Sequence, residues 1–173
     1  MEFMDGKLVL CDTSADDVAV VTSRLAPECL RDVEDVINSG VSVMEFSSLV
    51  YAHADICKTL FIAHKPVMIC GIVQAYPDRI DTGFFFMFFT ETMKKYPLVV
   101  ARHSYDVLAE FISSCKYDEI ISTVHPDNTQ SIKWARSLGA AVVRPENSVG
   151  GNGGKYYLCV FKCNAKSKER AKD

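Results

Sequence analysis

Residues 125–140 read HPDNTQSIKWARSLGA, and this stretch decides the fold. A His-Pro-Asp-Asn turn leads into an amphipathic segment that stops at a glycine and gives way to Ala-Val-Val. Asp127 or Asn128 can cap the helix amides left without partners at its first turn. Ile132, Ala135 and Leu138 share one face at helical spacing, and Gly139 can supply the left-handed conformation that ends a helix. Asp118 to Val124, rich in isoleucine and β-branched residues, reads as the strand before the helix. Ala140 to Arg144 reads as the strand after it.

Working back, Thr82 to Phe89 is an aromatic strand ending in Gly83-Phe-Phe-Phe-Met-Phe-Phe89, far shorter than the roughly 20 residues of a membrane helix. Pro97 can open a helix whose apolar face is Leu98, Ala101, Tyr105, Leu108 and Ile112. Lys58 to Ala63 and Val67 to Ala75 form a hairpin about His64-Lys-Pro66, and with 82–89 they make an antiparallel meander. Lys7 to Cys11 is the first strand. Ser14 with Asp17, and Ser42 with Glu45, are capping-box pairs opening helices. The first puts Val18, Val21 and Leu25 on one face. Pro27 then starts a segment carrying Leu30, Val33, Val36 and Ile37 towards Gly40. The Ser42 helix presents Phe46, Leu49, Val50 and His53. A last strand covers Tyr156 to Phe161, after the loop Val149-Gly-Gly-Asn-Gly-Gly154. That loop opens no helix and so lacks the context of a phosphate loop.

The expected fold is α/β: one domain over residues 1–163, a mixed and mostly antiparallel sheet with helices on both faces, and a charged tail at 164–173. A net charge of −3 gives no global attraction to nucleic acid or anionic membrane, and the basic residues of the tail are mixed with acids. Seven cysteines without metal-like spacing, and no secretory pattern at Met1-Glu-Phe-Met-Asp5, suit reduced thiols in a cytoplasmic setting. No metal is expected.

This order of elements resembles the Gcn5-related N-acetyltransferases. Asn128, Ser131, Trp134, Ala135, Leu138 and Gly139 carry the likeness, with Ala140 where that family often has an aromatic residue. Within the family the chain is most similar to short, divergent acetyltransferase-like proteins of tailed bacteriophages, including an internal virion protein group. The resemblance implies an acyl-CoA-dependent N-acetyltransferase that uses acetyl-CoA and an amine of a small molecule or protein. It implies cofactor contacts from Phe89, Thr90, Lys94, Lys95, Asn128 and Ser131. For acid–base work it implies Glu91, just past the fourth predicted strand, and His125 at the end of the fifth. A tyrosine of the last strand, Tyr156 or Tyr157, completes the set, and Tyr157 is taken as the candidate acid. Each also has an ordinary role: a surface glutamate, a turn histidine, a packed strand tyrosine.

One departure is sharp. The family's glycine-bearing signature after the fourth strand wraps the coenzyme pyrophosphate in backbone amides, but Thr90-Glu-Thr-Met-Lys-Lys-Tyr-Pro97 has no glycine. Lys94 and Lys95 could meet phosphates only as point charges. A second expectation follows: a catalytically degenerate relative, a virion or host-protein-binding module. In that case Phe85, Met87 and Phe89 would plug the cleft that an active member keeps open.

Overall fold

A computed structural model describes residues 2–3, 8–37, 40–143 and 156–163. Its strands are β1 (Glu2–Phe3), β2 (Leu8–Asp12), β3 (Ile56–Ile62), β4 (Lys65–Tyr76), β5 (Arg79–Phe89), β6 (Glu119–Val124), β7 (Ala141–Val143) and β8 (Tyr157–Lys162). Its helices are α1 (Ala15–Thr22), α2 (Pro27–Val36), α3 (Val43–Ala52), α4 (Pro97–Ser114) and α5 (Thr129–Ser137), with a 3₁₀ turn at Glu91–Lys95. The strands form one sheet in the order β1-β2-β3-β4-β5-β6-β8-β7. Among the described residues only β5 and β6 pair in parallel. The glycine-rich loop at 149–154 and the tail at 164–173 lie outside the described residues.

Local chemistry sets most boundaries as expected. Ser14 and Ser42 each accept from the backbone of the residue three positions on, and Asp17 and Glu45 return the bond. Asn128 accepts from the Ser131 amide at 3.0 Å and caps α5. At its other end Gly139 has φ +90°. Gly139 N–H donates to Arg136 and Ala140 N–H to Ala135, the paired bonds of a Schellman ending.

Three readings need correction. The first hairpin turns on Ala63-His64, both at positive φ, and not on His64-Lys-Pro66. Ile62 pairs with Lys65, and a bulge between Leu60 and Phe61 takes up the slip beside Pro66, which has no N–H to give the ladder. On α4 Leu108 and Ile112 pack inward as expected, with Ser104 and Phe111 beside them, but Tyr105 is 58% exposed; the side chains of Leu98 and Ala101 lie outside the described residues. Leu49 of α3 is likewise exposed, and Ser47 is buried in its place, donating to the Val43 carbonyl. β8 lies between β6 and β7 and is antiparallel to both.

Two cores flank the sheet. Phe86 and Phe88 pack with Val18, Val21, Cys29 and Val33 of α1 and α2, and Phe46 and Val50 of α3 close over them. On the opposite face Leu108 and Phe111 of α4, Cys115 just after it, and Ala135 of α5 cover Leu60, Met68, Cys70 and Ile120. The strict alternation of β5 feeds both: Phe85, Met87 and Phe89 turn to the α4–α5 side, where Phe85 meets Phe111 edge-on at 5.8 Å.

Gly83 lies where β5 meets β6. A Cβ there would come within 2.5 Å of the Tyr117 ring and 2.7 Å of Ile72, both fully buried. Gly83→Ala is therefore expected to lower unfolding free energy by about 1–3 kcal/mol, the usual cost of overpacking a filled core. Urea denaturation with an unchanged m-value would check it.

Candidate functional site

β5 and β6 pair over only three residues, Thr82↔Glu119, Gly83↔Ile120 and Phe84↔Ile121. Beyond them β5 runs on to Phe89 and β6 to Val124 with no ladder between them. The Thr90 amide bonds to Val67 of β4, so even-numbered residues here turn their main-chain groups to β4. Met87 and Phe89 turn theirs the other way, towards the gap. A cavity of about 370 Å³ occupies it and is lined from both sides of the sheet. Cys29, Asp32, Val33, Val36, Phe46 and Val50 line it on one side; Leu108, Asn128, Ser131, Trp134 and Ala135 line it on the other. Phe85, Met87 and Phe89 form part of the wall and do not fill the gap.

Helix α2 spans this opening. Ala26, just before it, donates to the Phe89 carbonyl at 2.9 Å, and the Cys29 thiol reaches the Met87 carbonyl at 3.7 Å. Burial raises the Cys29 pKa to about 11, which leaves the thiol a protonated donor and not a nucleophile. One turn on, Asp32 is the one carboxylate in the cavity lining. Burial pushes its pKa up, against the pull of Arg31 (3.2 Å away) and of His125, while Asp35 adds to the rise. Asp35 accepts from the Tyr156 hydroxyl at 2.5 Å, and the Tyr156 ring stands edge-on to His125 at 5.5 Å. Burial, then the bond to Asp35, drives the Tyr156 pKa up, so the hydroxyl stays protonated. Asp32, Asp35, His125 and Tyr156 thus tie α2 to the ends of β6 and β8.

The residues singled out in the sequence fall into separate groups. Asn128 and Ser131 line the cavity from the α5 end, and Phe89 lines it from β5. His125 is three-quarters buried beside the acidic pair, and its Nδ1 also accepts from the Asp127 amide at 3.2 Å. Thr90 is buried, with both its amide and its hydroxyl given to the Val67 carbonyl, which commits it to anchoring β5. Lys94 bridges Glu28 of α2 and Glu91, each at 2.8 Å, and these partners raise its pKa. Lys95 is exposed. Tyr157, half-buried, pairs in register with Val124 and shares the face of Cys159 and Phe161. Glu91 and Tyr157 are not among the cavity-lining residues.

Sequence reasoning missed Asp32. The signal was there: Cys29, Asp32, Val33 and Val36 follow the i, i+3, i+4, i+7 spacing of a buried stripe, with a carboxylate at one of its positions. Among the described residues no group of three His, Cys, Asp or Glu could hold a metal ion, and no helix is long and apolar enough to cross a membrane.

A mixed sheet splayed at its one parallel step, with helices on both faces, is the fold of the Gcn5-related N-acetyltransferases. No protein-family model matches the sequence, and no curated protein matches it. Solved structures do match. A Salmonella typhimurium protein assigned as an acetyltransferase, solved with its cofactor acetyl-CoA, superposes with a TM-score of 0.68 at 12% identity, over 92% of this chain and 95% of that one. A ribosomal-protein alanine acetyltransferase from Vibrio fischeri gives 0.66 at 11% identity, over 95% and 98%. A spermidine N-acetyltransferase from Vibrio cholerae gives 0.62 at 12%, over 96% and 99%.

A carboxyl with a raised folded-state pKa holds its proton more tightly folded than unfolded, so stability falls as pH rises through the interval between the two values. Asp32→Asn is therefore expected to be as stable as the parent or more so at pH 7. The difference should close only towards about pH 3, below the ordinary carboxyl value of 3.8, where the carboxyl is protonated in both states. Chemical denaturation at both pH values measures it.

Proposed function

We propose that this protein is an acyl-CoA-dependent N-acetyltransferase acting on an amine. The observation that carries the reading is the splay itself: a cavity between β5 and β6, lined from both sides of the sheet, lets a thioester and an amine approach from opposite faces. The pantetheine arm would lie on the α4–α5 side against β5, with Asn128, Ser131 and the main chain of Met87 for polar contacts. The residues fit that arm. The phosphate end has lysines but no glycine-built cradle, and Lys94 reaches it already neutralised by two glutamates.

An acyl thioester supplies an electrophilic carbonyl and a thiolate leaving group. Asp32 would attract the incoming ammonium and take its proton, freeing the nitrogen lone pair. The nitrogen–carbon bond then forms as the carbon–sulfur bond breaks, and the second nitrogen proton goes to the departing sulfur. His125, on the same side of the opening, holds Asp32 in the field of its imidazole, and Tyr156 fixes α2 through Asp35. Asp32 takes the catalytic place that the sequence suggested for Glu91. Its raised pKa brings it closer to neutrality, where a general base is more effective.

A second reading has its own observation. The Lys94 bridge and the absence of glycine from 90–97 suit a degenerate relative that binds a protein partner, of virion or host origin. Kinship with the phage-type proteins and a cytoplasmic setting belong to the same proposal; seven free cysteines support the latter.

Titration calorimetry with acetyl-CoA separates the readings: the transferase reading expects saturable binding at micromolar concentrations, and no heat at high micromolar concentration would sink it. Asp32→Asn should then bind acetyl-CoA unchanged and lose about 10²–10⁴-fold in kcat/KM for the amine.

A further inference from the structure

We infer that the acceptor is a small apolar primary amine, an arylalkyl or alkyl monoamine. This deepens the transferase reading and rests on it. On the α1–α3 side of the sheet the cavity wall is mainly Val33, Val36, Phe46, Val50, Val73 and the ring of Phe86, with Asp32 as its one charge and Cys29 and Thr123 as its uncharged polar groups. Phe88, edge-on to Phe46 at 6.4 Å and tilted against Phe86 at 5.3 Å, extends the same aromatic surface.

The order of groups along α2 sets the polarity of the site. Cys29 touches the β5 main chain at Met87, where the strands part, and Asp32 follows it by one turn within the field of His125 at the end of β6. The carboxylate therefore stands beside the splay, and the valines and phenylalanines lie beyond it. An ammonium seated on Asp32 points its substituent into apolar side chains. A second cationic centre several carbons away, as in a polyamine, would meet no counter-charge there and would lose its water. A peptidic substituent, with several hydrogen-bonding groups, would leave most of them unpaired, because Thr123 is the one hydroxyl on that wall. An alkyl or phenyl group gains from the same wall.

The full chain should be tested with phenethylamine, hexylamine, spermidine and a short alanyl peptide, by amine binding alone and by thiol release from acetyl-CoA. Phenethylamine or hexylamine is expected to show kcat/KM at least about tenfold above spermidine and the peptide, the scale of a hydrophobic-pocket difference. Val36 is 42% exposed and lines the cavity, so Val36→Asp should fold. It is expected to lower phenethylamine turnover by about tenfold and to raise that of a diamine. Spermidine or the peptide equalling the apolar amines would overturn the inference, as would an unchanged preference in Val36→Asp. If the chain takes up no acetyl-CoA, phenethylamine binding that Asp32→Asn abolishes would uphold the apolar amine site and remove only the transferase reading. Absence of phenethylamine binding removes the site whether or not acetyl-CoA is consumed.

Discussion

The parting of β5 from β6 after three paired residues is the constraint on which the rest of the structure depends. Two strands that separate expose main-chain donors and acceptors, and buried ones must find partners or face a cavity. Both outcomes occur here. The Phe89 carbonyl is claimed by Ala26, and the Met87 carbonyl meets the Cys29 thiol. These contacts hold the start of α2 against the end of β5, so α2 must cross the opening. The cavity is what remains between that helix and the separated strands.

Once α2 is held there, the electrostatics follow from its sequence. A helix lying over a core needs an apolar stripe, yet α2 carries Asp32 within that stripe beside Cys29, Val33 and Val36. The burial that raises the Asp32 pKa works against stability at neutral pH, and Arg31 only partly offsets it. Asp35, one turn further, is differently placed because the Tyr156 hydroxyl satisfies it. Two carboxylates on neighbouring turns thus have separate tasks, one tying α2 to β8 and one facing the cavity. That contrast is why Asp32, and not Asp35, is the base in the proposed reaction.

What the sequence made legible was local. Ser14, Ser42, Pro27 and Gly139 act through residues three or four positions away, so the helix boundaries could be read directly from spacing. The aromatic run 83–89, bounded by polar residues, likewise read as a buried strand. What could not be read depends on partners far along the chain. Asp32 and His125 are 93 positions apart (125 − 32), and Tyr156 is a further 31 (156 − 125); only the insertion of β8 beside β6 brings them together. The faces of α3 and α4 were misjudged for a related reason. Leu49 and Tyr105 continue an apolar pattern, but the crossing of each helix over the sheet selects Ser47 and Ser104 for the inside.

The phosphate end is where fold and sequence pull apart. A glycine-built cradle offers amides already aimed at an anion; 90–97 cannot offer it, and the lysine that remains is held by Glu28 and Glu91. Glu28 lies on α2, so the same helix that presents Asp32 also ties down the 3₁₀ turn after β5. An arriving pyrophosphate would have to compete with both glutamates for Lys94, and each is partly solvated, so the exchange costs little in water. Releasing Lys94 would loosen the link between the 3₁₀ turn and the first turn of α2, four residues before Asp32. On the proposed transferase reading, phosphate recognition and the placing of the carboxylate thereby share one helix, a coupling that a glycine cradle would not create.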